Sequence, residues 1–274
     1  MELGVIIGLN AHLEQKLEKL AELGFSSCQI SCWDPEMYTD ENAARITALL
    51  QQYGIRISTL WCGWSGPKQW NFTEGPVTLG LVPAQYRETR VRELLAGSDF
   101  ARKLRVGQIA THVGFIPEDP NDPQYGEVVA AVRTVAARCR ENGQYFLFET
   151  GQETPTTLLR TIQDVGLDNV GVNLDPANLI LYGKANPVDA LGVIGRYVRD
   201  VHAKDGCYPT DGRTLGRETA LGDGQVNFPA LIRGLRALGY DGAITIEREI
   251  DGDRQIADIC KAKELLLSCI HIIS

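Results

Sequence analysis

Eight short runs of apolar and β-branched residues recur down this chain, and each is separated from the next by a stretch whose apolar positions have helical spacing. The runs cover residues 3–8, 27–31, 56–61, 107–112, 144–149, 170–175, 198–202 and 243–247. Such alternation marks a parallel sheet, because a parallel neighbour is reached only through a crossover, usually a helix. Between the runs, Leu13-Leu17-Leu20-Leu23, Ile46-Leu49-Leu50-Tyr53 and Leu231-Ile232-Leu235-Leu238 place apolar residues on one helical face. Gly24, Gly54, Gly143, Gly166 and Gly239 stand where a left-handed residue ends a helix. Eight such units in one run, with no linker rich in proline or serine, predict a single α/β domain over residues 1–274: a (β/α)8 TIM barrel. An open doubly wound sheet is the competing architecture, but Gly-x-Gly-x-x-Gly after the first strand and the phosphate-loop motif are both missing.

A chain of 274 residues is near the typical barrel length of about 250, and its 44% hydrophobic and 23% charged residues suit a soluble globular protein. The formal net charge of −8 opposes binding to phosphate backbones or anionic lipid, so neither nucleic acid nor membrane is an expected partner. Seven scattered cysteines with no Cys-x-x-Cys pair read as reduced thiols packed as small hydrophobes. The first residues show no basic region followed by a long apolar stretch, which gives a cytoplasmic location as the default expectation.

In a barrel the active site lies at the carboxyl ends of the strands. Here five consecutive runs deliver ionisable residues to that rim: His112 after the fourth, Glu149 after the fifth, Asp175 after the sixth, His202 and Lys204 after the seventh, Glu247 and Glu249 after the eighth. Each alone has a plain explanation, since a carboxylate after a strand often caps the next helix and a lone histidine is commonly structural. Together they aim several like charges at one small mouth, which is costly without a cation. Two glutamates, one aspartate and one histidine suit one divalent ion, Mn²⁺ foremost, with Mg²⁺, Co²⁺ or Zn²⁺ as alternatives. The inferred ligands are Glu149, Asp175, His202 and Glu247.

Around these residues the chain resembles the xylose isomerase-like TIM-barrel superfamily of sugar isomerases and epimerases. The resemblance spans nearly the whole sequence. It rests on residues 111–117 (THVGFIP), 148–154 (FETGQET), 173–179 (NLDPANL), 201–206 (VHAKDG), 221–228 (LGDGQVNF) and 239–242 (GYDG), followed by Glu247-Arg248-Glu249. It implies that the four residues named above are the family's metal ligands. It also implies that Glu149 and Glu247 flank a sugar from opposite faces, one removing the proton alpha to a carbonyl and the other returning it. A C–H beside a ketone yields to a carboxylate only where positive charge awaits the developing enediolate. One departure concerns substrate: D-tagatose 3-epimerase-like members carry a histidine three residues after the aspartate, and this chain has Asn178.

Further expectations attach to the rim. His112, Asn178 and Lys204 are candidates to contact substrate oxygens, with pairing to Asp205 as the plain account of Lys204. Trp61, like Trp33 and Trp64, offers an indole face to a sugar ring, with core packing as the competing account. Residues 62–83 read as a long covering loop, and the stretch 206–221 as another, bearing Arg213 and Arg217. The expected partner is a small carbohydrate, and assembly into a homo-oligomer is left open. Two other activities share the ligand set: a lyase or dehydratase acting on a keto-sugar or keto-inositol, and an endonuclease IV-like nuclease. Four histidines and an acidic balance argue against the nuclease.

Overall fold

Each of the eight runs forms a strand, to within one residue at either end, in a computed structural model that describes residues 1–272. Numbered in chain order, the strands are β1 (Glu2–Gly8), β2 (Ser27–Cys32), β3 (Arg56–Cys62), β4 (Gln108–Thr111), β5 (Tyr145–Glu149), β6 (Val170–Leu174), β7 (Val198–Ala203), β8 (Asp205–Cys207), β9 (Arg217–Thr219) and β10 (Ala243–Ile246). β1 to β7 and β10 close into a barrel in which every neighbouring pair is parallel. β8 and β9 form a separate antiparallel ribbon beyond the end of β7, so the stretch 206–221 is not wholly irregular.

The helices are α1 (Leu13–Glu22), α2 (Asp40–Tyr53), α3 (Gly75–Thr78), α4 (Ala84–Lys103), α5 (Pro123–Glu141), α6 (Pro155–Val165), α7 (Pro176–Leu181), α8 (Pro187–Ile194), α9 (Phe228–Ala237) and α10 (Asp253–Ile272). Their starts follow local chemistry: Thr39, Asp122, Thr154 and Asn227 each accept a hydrogen bond from a first-turn N–H, and α5 to α9 all begin with proline in the first turn. The five stop glycines have φ between 65° and 78°, as their positions predict. Leu13, Leu17 and Leu20 are buried, as are Leu231, Ile232 and Leu235, but Leu238 follows the end of α9 and is 48% exposed. No described helix is long and apolar enough to cross a membrane, and all seven cysteines are free.

Alternation along each strand divides the side chains between two environments. Phe146, Phe148 and Val201 join the main core, whereas Trp61, Ala110 and Leu147 form a smaller apolar cluster within the barrel. Alternate residues of β7 carry a polar column through that interior. Near its base, buried Asp200 accepts from Thr59 (2.6 Å), and Thr59 in turn accepts from Gln108 (2.8 Å). Above it, Gln29, Asn173 and His202 are hydrogen-bonded to one another, and Lys204 follows at the mouth. Period-two spacing thus points 200, 202 and 204 along one line toward the rim.

Two glycine contacts clamp the covering loop. Leu81 N–H donates to Val113 C=O at 2.7 Å, and Gly80 (φ 66°) and Gly114 (φ 100°) allow the two backbones to meet; a Cβ on Gly114 would be driven into the carbonyl oxygen of Leu79. The ribbon loop is organised by buried Asp205, whose carboxylate accepts from the backbone N–H groups of Gly206, Gly222, Gly224 and Val226 at 2.8–3.0 Å. That explains residues 221–226 as a wrap around one anion. Gly114→Ala should therefore lower the urea midpoint by the equivalent of about 2–3 kcal/mol. Gly143→Ala, with a φ of 70° but open space around its Cβ position, should cost about 1 kcal/mol. Equal midpoints for the two variants would contradict the clamp.

Candidate metal centre at the barrel mouth

Glu149 ends β5, Asp175 follows β6, His202 lies in β7 and Glu247 follows β10. The structure brings these four together: one potential ligand atom from each lies within 4.8 Å of all the others. Ligand atoms 2.0–2.2 Å from one ion stand up to about 4.4 Å apart, so the spread matches a single cation site to within a few tenths of an ångström. His202 Nδ1 is 3.0 Å from Glu247 Oε2, 3.3 Å from Glu149 Oε1 and 3.9 Å from Asp175 Oδ2.

Local structure dictates which atoms face inward. Asp175 caps α7, its Oδ1 accepting from Asn178 N–H at 2.9 Å, while buried Oδ2 has no hydrogen-bond partner among the described residues. One oxygen of the carboxylate thus caps the helix, and the other is free to hold a cation. On the inner side of the imidazole, His202 Nε2 lies 2.9 Å from Gln29 Oε1. Asn173 Nδ2 lies 3.0 Å from the same nitrogen, so two amides fix the imidazole from the inner side and leave Nδ1 as the nitrogen that faces the mouth. His202 Nδ1 and Glu247 Oε2 are likewise buried without a hydrogen-bond partner. Glu149 is held hardest: Trp61 Nε1, Asn173 Nδ2 (3.3 Å) and Asn178 Nδ2 (3.4 Å) all donate to it, and His112 Nε2 lies 3.4 Å away.

The electrostatics call for positive charge. Burial opposes ionisation of Glu149, but His202 and His112 outweigh it and set the carboxyl below its ordinary range; Lys204 and His202 hold Glu247 well below. Asp175 is pushed up by burial, which Lys204 offsets only in part. Burial would lower His202, yet Glu149 and Glu247 keep it well above the usual imidazole range. Of the three cluster carboxylates, Asp175 (3.8 Å) and Glu247 (3.5 Å) face the ammonium of Lys204, which is itself shared with Glu249. A divalent cation fits both the orphaned donor atoms and this charge imbalance.

The wider cavity, about 410 Å³, is lined at its polar end by His112, Glu149, Asn178, Lys204, Glu247 and Glu249, and elsewhere by Trp33, Trp61 and Trp70. Lys204 does not pair with Asp205, which the backbone amides occupy; its Nζ donates to Glu249 Oε1 at 2.6 Å. Trp64 is buried as packing, whereas Trp61 both lines the cavity and binds Glu149. Arg213 and Arg217 are exposed and do not line it. Sequence reasoning did not assign Gln29, Asn173, Glu249, Trp70 or Arg90. Only Glu249 carries a visible signal, as a second carboxylate just past the last strand. Buried Arg90, on α4, donates to the carbonyls of Ser65, Pro67, Thr78 and Gly80 and so shapes the covering loop, which also contains α3.

A closed eight-stranded barrel with a metal-competent cluster at the carboxyl ends of its strands defines a class of enzyme scaffold. Residues 17–267 match the model of the xylose isomerase-like TIM barrel, and the chain belongs to that family. It is similar to a xylose isomerase domain protein from Planctomyces limnophilus, with 36% identity and a TM-score of 0.94 over 99% of this chain and 98% of that one. A D-tagatose 3-epimerase-like protein shares the fold at a TM-score of 0.76, with 23% identity over 100% and 98% of the two chains. Inosose dehydratase from Lacticaseibacillus casei is 25% identical over 149 residues, which are 47% of this chain and 49% of that protein.

Titration of chelator-treated protein with Mn²⁺ should show one site per chain. Asp175→Ala and His202→Ala should each weaken it at least about 100-fold, and Gln29→Ala, which frees the imidazole to turn, about 10- to 100-fold. Unchanged affinity in both ligand variants would rule the centre out. A separate expectation concerns Glu153, just beyond the cluster. Burial raises its carboxyl to about 8, which its own backbone N–H and Lys184 only partly offset. The folded chain binds this proton more tightly than the unfolded chain, so the residue subtracts stability as pH rises from about 4.5 to about 8. Glu153→Gln should flatten that part of the stability–pH curve; an unaltered slope in thermal melts would contradict it.

Proposed function

We propose that the chain is a metal-dependent isomerase or epimerase of a keto sugar, acting by transfer of the proton alpha to the carbonyl. The observation that carries this reading is the meeting of two glutamates, Glu149 and Glu247, both held below the ordinary carboxyl range, beside the unpartnered atoms of Asp175, His202 and Glu247. Glu149, Asp175, His202 and Glu247 would hold the ion, Mn²⁺ foremost. When bound, it would supply the charge that polarises a carbonyl and its neighbouring hydroxyl.

The remaining work belongs to side chains. One glutamate accepts the alpha proton and the other returns a proton at the opposite face, which inverts the carbon or moves the carbonyl along the chain. Trp61, Asn173 and Asn178 fix the Glu149 carboxylate so that it need not reorganise between these steps. Lys204 and His112 line the same cavity and meet negative charge developing on the substrate oxygens. The covering loop, clamped at Gly80 and Gly114, keeps water from the enediolate.

The similarity to inosose dehydratase supports a second reading, in which the same proton abstraction is followed by loss of a β-hydroxyl. Incubation of the Mn²⁺-loaded protein with a panel of ketoses and keto-inositols in D₂O separates them. Deuterium at the alpha carbon with no net loss of water is the expected result; a growing enone absorbance would select the dehydratase. Glu149→Gln and Glu247→Gln should each reduce exchange by about 10²-fold or more. Full exchange in either variant would dispose of the two-base mechanism.

A further inference from the structure

All four tryptophans of the chain stand in one group beside the four candidate ligands. Trp33 and Trp70, from different loops, are 37% and 39% exposed, and their rings meet edge to face at 6.3 Å. Buried Trp64 backs both, at 5.4 Å from Trp33 and 6.5 Å from Trp70, and Trp61 lies 4.8 Å from Trp33. Two adjoining indoles left open to solvent are costly unless a ligand covers them.

The arrangement is held from behind. Gly63 has no side chain where a Cβ would be driven into the Trp33 ring, and the Arg90 guanidinium lies 5.3 Å from the Trp64 ring while binding four loop carbonyls. The Lys68 ammonium, 5.0 Å from the Trp33 ring centre, adds a hydrogen-bond donor at the edge. The cavity therefore has an aromatic wall that adjoins the ligand cluster, where Trp61 binds Glu149 and the rings of Trp61 and Trp70 lie 5.7 and 5.4 Å from that of His112, and that extends outward to Trp33 and Leu215. A single pyranose, packed at a density of about 0.74, fills roughly half of such a volume.

We propose that the outward part of this wall, at the exposed faces of Trp33 and Trp70, is a subsite for a second ring, and that the substrate class is a two-ring glycoside of a keto sugar. The reacting ring lies over Glu149 and Glu247, and the apolar C–H face of the second ring stacks on Trp33 and Trp70. The placement of the reacting ring rests on the function proposed above; the subsite itself rests on the aromatic wall.

Because the tryptophans are confined to this group, their emission reports occupancy directly. Mn²⁺-loaded protein is titrated with cellobiose, maltose and phenyl β-D-glucopyranoside, and with methyl β-D-glucopyranoside as the one-ring reference; none carries a ketone, so binding is read without turnover. At least one two-ring probe should bind about tenfold tighter than the reference and shift the emission. Trp33→Ala and Trp70→Ala should bring that ratio close to one, and Trp70→Phe should retain most of it. A ratio near one in the unaltered protein, or an undiminished ratio in both alanine variants, would overturn the subsite. Two-ring preference in a chain that exchanges no deuterium would overturn the enolisation reading and keep the subsite. Exchange into free ketoses without that preference would do the reverse.

Discussion

The hydrogen bond between His202 Nε2 and Gln29 Oε1, with Asn173 Nδ2 3.0 Å from the same nitrogen, decides what the barrel mouth presents, because it fixes the imidazole with Nδ1 toward the rim. Everything above that bond depends on it. With Nδ1 turned outward, Glu149, Asp175 and Glu247 converge on a nitrogen able to join them in holding a cation; with the ring reversed, they would face a carbon that cannot. Gln29 is in turn tied to Asn173, and Asn173 to Glu149, so the orientation of one ligand is coupled to that of another through two amides. The barrel supplies this coupling at little conformational cost, since inward positions on neighbouring strands are already in register.

The same economy governs the loops. Asp175 satisfies α7 with one oxygen and faces the centre with the other, so the ligand is oriented by the helix start it caps. Asp205, one residue past Lys204, lies outside the centre and gathers four backbone amides into a turn. Neighbouring acidic residues at a strand end thus serve different purposes, and the difference follows from strand alternation: 202 and 204 continue the inward line, and 205 leaves it.

The strands, the stop glycines and the four candidate ligands were legible in the sequence because each depends on local pattern. A strand has period two, and the residue that closes it lies at the barrel's working end whatever the rest of the chain does. What was not legible depends on distance. Gln29 meets His202 across 173 residues, and Trp61 meets Glu149 across 88. Arg90 reads on α4 as one more charged residue of an amphipathic helix, and only the folded loop reveals four carbonyls waiting for it. Leu238 shows the opposite failure: it continues a helical pattern beyond the end of α9, and periodicity carries no information about where the backbone turns.

This division has a bearing on how one barrel comes to serve many substrates. The charge-bearing side chains are fixed by strands whose register cannot slip without moving every inward residue to the outer face. Trp33 and Trp70 of the aromatic wall hang on segments that follow β2 and β3, held by Arg90 and by close contacts at Gly63, Gly80 and Gly114. Trp61 ties the wall to the centre through Glu149, but the restraints on Trp33 and Trp70 lie in the loops, so the outer wall can change while the strands hold the centre. In the function proposed here, the proton transfer is therefore held by the strands while the choice of substrate is made in the loops.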